Sequence, residues 1–364
     1  MHRSITRRGA SLSAAVALAT LAACESVGDT NLVVTPITNT TFVQTNLVAD
    51  ISSYGASTID PNLVNPWGLA FGPDGALWVA NNGSGTTTFY SQAGAKLQPA
   101  VSVPSAVAGE PGVPTGAIYN GSADFVIPGT GAGPALGAAL LILAGEDGTI
   151  SAWNNATGSS AVLVADRSGQ GAVYKGIAMA LNGDAMFLYL TNFKHNSIDV
   201  FDAGFSFIGS FTDATIPAGY APFGIQRVDN KLYVTYAKQK GPDNEDDDPG
   251  VGNGFVDVFT TAGKLIRRFA SHGSLNSPWG IAVAPAGFGK FGGDILIGNF
   301  GDGMIGAYDP SSGALVEMLR MPGGAPITIA GLWGISFAPN SAGLFFTSGP
   351  SDESHGLVGT LTPR

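Results

Sequence analysis

The chain has 364 residues, of which 12% are charged, with 52 glycines and 22 prolines. That is about half the charge of an ordinary globular protein and far more glycine than a helical or α/β domain carries, so tight turns are frequent and an all-β fold is expected. The net charge is −10, and with Arg3, Arg7 and Arg8 set aside 14 basic residues face 27 acidic ones. A surface this acidic repels phosphate backbones and argues against nucleic acid as a partner.

Residues 1–23 read as an export signal. Arg3, Arg7 and Arg8 form a positive start, and Ala10 to Ala23 is a small-residue apolar stretch too short for a permanent membrane span. It ends in Leu21-Ala22-Ala23-Cys24, and Cys24 is the sole cysteine. This resembles the lipobox of bacterial lipoproteins, which implies that Cys24 is acylated and begins the mature chain. Two acyl chains give stable anchoring, so the only membrane contact expected is the lipid. Arg7-Arg8 lacks the apolar residues that follow a twin-arginine signal. Glu25 is not the aspartate expected for inner-membrane retention, which favours the outer membrane and periplasm, or the cell surface. Residues 24–40, rich in Thr, Asn and Val, read as a flexible tether.

From residue 41 to 364 one phrase recurs. It is Asn65-Pro66-Trp67-Gly68-Leu69-Ala70-Phe71, then Ser277-Pro278-Trp279-Gly280-Ile281, then Gly331-Leu332-Trp333-Gly334-Ile335. Weaker copies carry Gly116, Gly176 and Gly224. Successive repeat glycines lie 48, 60, 48, 56 and 54 residues apart. After each phrase come a turn, an apolar run such as Leu232-Tyr233-Val234-Thr235, a polar loop and two further strands. Each unit is a four-stranded antiparallel meander of about 50 residues, the size of one propeller blade. Six units predict a six-bladed β-propeller. The sixth has only three strands before Arg364, so Phe42 to Asp50 should supply its fourth and close the ring.

The phrase, with Asn299-Phe300-Gly301 and Gly254-Phe255-Val256-Asp257-Val258-Phe259, resembles a family of exported bacterial six-bladed propellers of uncharacterised function. That family is related to the NHL-repeat and gluconolactonase/regucalcin-like propellers. A gluconolactonase-like enzyme would hold one divalent metal in the channel on a Glu and Asn/Asp from different blades. The Glu and Asp of that family match no position here.

The loops after strand two and after strand four of each blade share one face around the axis. The candidates on it are Asn81, Asn82, Asp147, Asn192, His195, Asn299, Asp302 and His355, with Glu146, Lys194, Asp352 and Glu353 in the same loops. Trp67, Trp279 and Trp333 begin near that face. They could ring the channel mouth as a stacking platform for a glycan or aromatic ligand, or wedge between neighbouring blades as repeat-locked aromatics usually do. Asp243, Glu245, Asp246, Asp247 and Asp248 crowd the strand two to three loop of blade four. Such hard oxygen ligands would suit Ca²⁺, although the spacing is not that of an EF-hand. Lys238 and Lys240 could neutralise the cluster instead. Gly301-Asp302-Gly303-Met304-Ile305-Gly306 fits a dinucleotide pattern but should run into a strand, where no helix end can hold a pyrophosphate.

These features lead to an expected function as a lipid-anchored, extracytoplasmic module binding a small molecule, a glycan or a protein. The alternative is a metal-dependent hydrolase or lactonase working in the channel, which a channel lined by Asn, Gly and aromatics would count against. A lyase is a third class, with no residues in the sequence to mark it.

Overall fold

The computed structural model describes residues 40–129 and 133–364. The export signal, Cys24 and nearly all of the tether lie outside the described residues. The described chain forms a six-bladed β-propeller of four-stranded antiparallel blades, and its only helical segments are short 3₁₀ turns. The innermost strands are Pro66–Phe71, Pro114–Tyr119, Tyr174–Asn182, Tyr220–Val228, Pro278–Val283 and Leu332–Phe337. All six begin in the repeated phrase.

Ring closure follows the count of strands. Phe42–Ala49 pairs antiparallel with the last strand, Leu357–Pro363, as the outer strand of blade six. Thr58–Ile59 then adds a short parallel strand outside it. The Asp50 carboxylate clasps the joint. It accepts the Gly356 amide at 3.0 Å and sits 2.6 Å from His355 Nδ1. The outer strand Val162–Asp166 of blade two carries the same Leu-Val-Ala-Asp sequence as this N-terminal strand. Both bulge there, between Leu163 and Ala165 and between Asn46 and Val48.

A single four-stranded sheet has two faces to cover, and each blade covers its own with its neighbours. Apolar clusters fill the gaps between blades one and two (Trp78, Phe89, Leu143, Trp153) and on round the ring to blades six and one (Val48, Leu77, Tyr90, Phe345). The repeat glycines set how closely the inner strands approach. A Cβ on Gly68 would stand 2.4 Å from Thr115 O in the next blade, and one on Gly224 would stand 2.0 Å from Trp279 O. Gly116, Gly176, Gly280 and Gly334 likewise press on the next blade's inner backbone. Threonine hydroxyls staple the same seams. Thr115 donates to Tyr174 O at 2.9 Å and Thr191 to Phe223 O at 2.8 Å. Backbone groups at the edge of each inner strand thereby find partners that the adjacent sheet does not supply.

Candidate functional site

The residue before each repeat glycine differs from blade to blade; the aromatic ones gather on the axis, while Thr115 bonds across the blade seam. In blade order it is Trp67, Thr115, Lys175, Phe223, Trp279 and Trp333. The tryptophans neither ring an open mouth nor wedge between blades, the two arrangements their sequence suggested. They meet one another. Trp67 stacks on Trp333 with ring centroids 3.5 Å apart, and Trp279 lies edge-on to both at 6.2 and 5.8 Å. Phe300 stacks on Trp333 at 4.0 Å, and Phe223 and Phe193 pack beside them. All three tryptophans are buried. Because the glycines bring the inner strands so close, large side chains at this level fill the axis and close it with an aromatic plug.

Below the plug the axis is narrow, about 60 Å³, and lined by the six repeat glycines with Leu69, Ile177, Ile225, Ile281 and Ile335. Gln226 and Ser336 are the polar side chains among its lining residues. The lining holds no carboxylate, histidine or cysteine.

Above the plug lies a continuous polar network. Trp333 Nε1 donates to Asn65 Oδ1 at 3.2 Å, and Asn65 Nδ2 donates to Glu353 Oε2 at 2.9 Å. Asn82 Nδ2 donates to Glu146 Oε2 at 2.7 Å, and the other Glu146 oxygen pairs with Lys175 Nζ. Lys175 Nζ also stands 3.7 Å from Asp246 and 5.1 Å from the centre of the Trp67 ring. The chain of contacts runs through blades six, one, two, three and four.

Lys175 is 2% exposed. Burial alone would push its ammonium toward the neutral form. The Glu146 carboxylate, helped by Asp246 and Asp247, outweighs burial and holds the charge on. No cation stands within ion-pair distance of Glu353 among the described residues, although the Lys175 charge lies near it. Burial, with the Glu146 charge nearby, raises its carboxyl to about 7. Asp247 is also pushed up by burial, and one of its oxygens has no hydrogen-bond partner. The hydroxyl of fully buried Ser277 faces that carboxylate without completing a hydrogen bond. Beside Glu353 an open cleft of about 450 Å³ is lined by Pro249, Phe300, Gly301, Gly331, Ser351 and Asp352. Ser351, Asp352 and Glu353 all hold positive φ, from 50 to 63°, which turns this loop over the cleft.

Of the candidates read from the sequence, Asn82 and the tryptophans belong to this mouth. Asn81, Asn192 and Asn299 end strand two of their blades and are buried in local bonds: Asn81 to Thr86 and Thr88, Asn192 to Asp199, Asn299 to Ser274 O. Asp147 anchors Ser105 and the Ala106 amide, and Asp302 receives Asn276 and the Met304 amide. His195 is exposed beside Asn192, and His355 serves the ring closure. The acidic loop does not gather round a common point. Asp248 pairs with Lys238 and Glu245 with Lys194, both at 2.6 Å, while Asp246 faces Lys175. Asp243 is exposed. Among the described residues no three acidic or histidine side chains come together as metal ligands. Gly301 to Gly306 runs into the strand Ile305–Tyr308, as its sequence implied.

The residues that sequence reasoning passed over are Asn65 and Lys175, with Glu146 and Glu353 named only as loop members. One signal was available. A lysine replaces the aromatic residue of the repeated phrase at position 175, and a lysine at a buried slot demands a carboxylate partner. A second buried charge group lies elsewhere, in blade four, where Arg268 bridges Asp257 and Asp213. Burial raises Asp257 to about 7 even against that arginine.

No family model matches the chain. In overall fold it is similar to streptogramin B lyase, at a TM-score of 0.53 and 14% identity over 90% of this chain and 98% of that one. It is similar also to virginiamycin B lyase from Staphylococcus aureus, at 0.54 and 14% over 89% and 99%. At such identities the likeness concerns the fold alone. Two relatives from Acanthamoeba polyphaga mimivirus are nearer in sequence. The "Uncharacterized protein R648" is 35% identical over 335 residues, 88% of this chain and 80% of the relative. The "Uncharacterized protein L690" is 33% identical over 319 residues, 84% and 82% respectively. These relatives are viral, where the sequence had suggested a bacterial family. Identity at this level along nearly the whole propeller means that the chain belongs to the same family as these mimivirus proteins.

Proposed function

We propose that the protein is a binding module whose ligand or partner engages the mouth above the aromatic plug. The observation that carries this reading is the network from Glu353 through Asn65, and from Asn82 through Glu146 and Lys175 to Asp246, which gathers polar groups of five blades at one point. Convergent polar groups beside a preformed cleft are the usual signature of a ligand site. A hydrolase centred in the channel has less to stand on, since glycine and aliphatic side chains line it.

The test pairs binding with turnover. Lactones and esters, with and without divalent metals, should not be turned over. Compounds that raise the melting temperature of the wild-type chain should lose that effect in Asn82→Ala and Glu146→Gln. Turnover that disappears when Gln226 or Ser336 is changed would replace this reading with an enzyme.

The proposal extends to the address. Leu21-Ala22-Ala23-Cys24 supports export and lipidation at Cys24. Cys24→Ser should then move the protein from the membrane fraction to the soluble one, and an unchanged distribution would refute the anchor.

A further inference from the structure

We infer that the cleft beside Glu353 takes an alkylammonium group, the charged end of a small aliphatic amine or of a lysine side chain. This rests on the binding-module reading and gives it a ligand class.

The mouth contains its own precedent. The Lys175 ammonium lies over the Trp67 ring at 5.1 Å and is neutralised by Glu146, with Asp246 at 3.7 Å. An aromatic face plus flanking carboxylates is the arrangement that attracts such a cation, and desolvation strengthens it. Across the mouth the cleft repeats these parts. Phe300, backed by its stack on Trp333, supplies a ring, and Glu353 and Asp352 supply carboxylates. Here no lysine or arginine of the described chain stands within ion-pair distance of either acid. Asn65 gives Glu353 one hydrogen bond and fixes its direction.

Two further observations favour a cation over an anion or a neutral group. Glu146, Asp246 and Asp247 all act on the Lys175 ammonium and Glu353 lies near the same group, so acidic side chains outnumber the one buried ammonium here. On the blade four side of the same mouth, one oxygen of Asp247 lacks a hydrogen-bond partner, which adds an acceptor. The cleft, at about 450 Å³, has room for an aliphatic stem as well as the charged end. A metal ion fits less well, because the Phe300 ring forms an apolar wall and among the described residues no three acidic or histidine side chains come together.

The experiment uses calorimetric titration and melting curves on the full chain. The probes are putrescine, N-acetyl-lysine amide, butane-1,4-diol as a neutral match for putrescine, and CaCl₂. Saturable binding of putrescine is expected, with no response to the diol and none to Ca²⁺. Binding of the lysine amide as well would point to a lysine side chain as the natural occupant, and putrescine alone to a free amine. Glu353→Gln and Phe300→Leu should each weaken binding about tenfold or more, since each removes one of the two parts of the cradle. Asp184→Asn, an equal loss of charge in an exposed turn, should leave it unchanged. Each of three results would overturn the inference: no amine binding at millimolar concentration, equal binding of the diol, or equal weakening in Asp184→Asn. If amines fail while another ligand is lost in Asn82→Ala and Glu146→Gln, only this inference falls and the binding module stands.

Discussion

The two ends of the axis are built from adjacent positions of one repeated phrase, yet they obey different rules. At the narrow end, all six blades place glycine, because a Cβ would collide with the backbone of the next blade at five of them and press tightly on it, at 3.1 Å, at Gly176. One residue earlier, the same blades place Trp, Thr, Lys, Phe, Trp and Trp. The first position is dictated by backbone approach and tolerates no variety. At the second, the large side chains share one space, where only their sum must fill the axis, so individual blades are free to differ. The difference teaches that the scaffold constraint lies in the glycines and the chemical individuality in the residues before them.

Breaking the scaffold side should cost most. Gly224→Ala would set a Cβ 2.0 Å from Trp279 O. It should destabilise the protein by at least ~4 kcal/mol or abolish soluble folding, as read from urea unfolding. Gly169→Ala, where nothing lies within 4 Å, should stay within about 0.5 kcal/mol.

On the individual side, Trp333→Ala should cost about 3–5 kcal/mol in the same assay, because it empties the centre of the plug and leaves Asn65 Oδ1 without its donor. Lys175→Met retains the volume and the apolar stem but strands the Glu146 carboxylate. A loss of roughly 3 kcal/mol is expected at pH 8. It should shrink toward pH 5, as Glu353 and Asp247, whose carboxyls burial pushes up, take up protons. An equal loss at both pH values would show that Lys175 acts by packing alone.

The smallest effect is the most specific. Glu353 keeps its proton up to about 7 in the folded chain, against an ordinary value of 4.5. Between those values the folded state holds more protons than the unfolded one, so stability should fall as pH rises from about 4.5 to about 7 and level off above. Glu353→Gln should flatten this slope and leave the variant ~1 kcal/mol more stable than wild type at pH 8, measured by chemical unfolding across that range. Asp257, also held near 7 by burial, carries a remaining part of the slope. A slope unchanged by Glu353→Gln would place the proton uptake in blade four instead of the mouth.

Much of the architecture is legible in the sequence, because blade number, blade length and ring closure are properties of a local period. Each four-stranded unit announces its turns and its alternating strands within about 50 residues. The missing strand of blade six could be matched to Leu47-Val48-Ala49-Asp50 by its likeness to Leu163-Val164-Ala165-Asp166. The face carrying the mouth followed from the same regularity, since loops at one end of each blade recur in register. The asparagines ending strand two looked like ligands by that logic, and their amide nitrogens instead bond neighbouring strands and loops.

Tertiary structure alone decided which members of that face meet. Glu146, Lys175, Asp246 and Glu353 come from four blades and are separated by long stretches of chain, so no local spacing records their approach. Their charge states also depend on the ring. The aromatic plug beneath them excludes water, and removal of water is what makes one ammonium worth holding and one carboxyl slow to ionise. A repeat period fixes where each side chain starts. How far it reaches across the axis, and what it meets there, is set by the closeness of six glycines on six different strands.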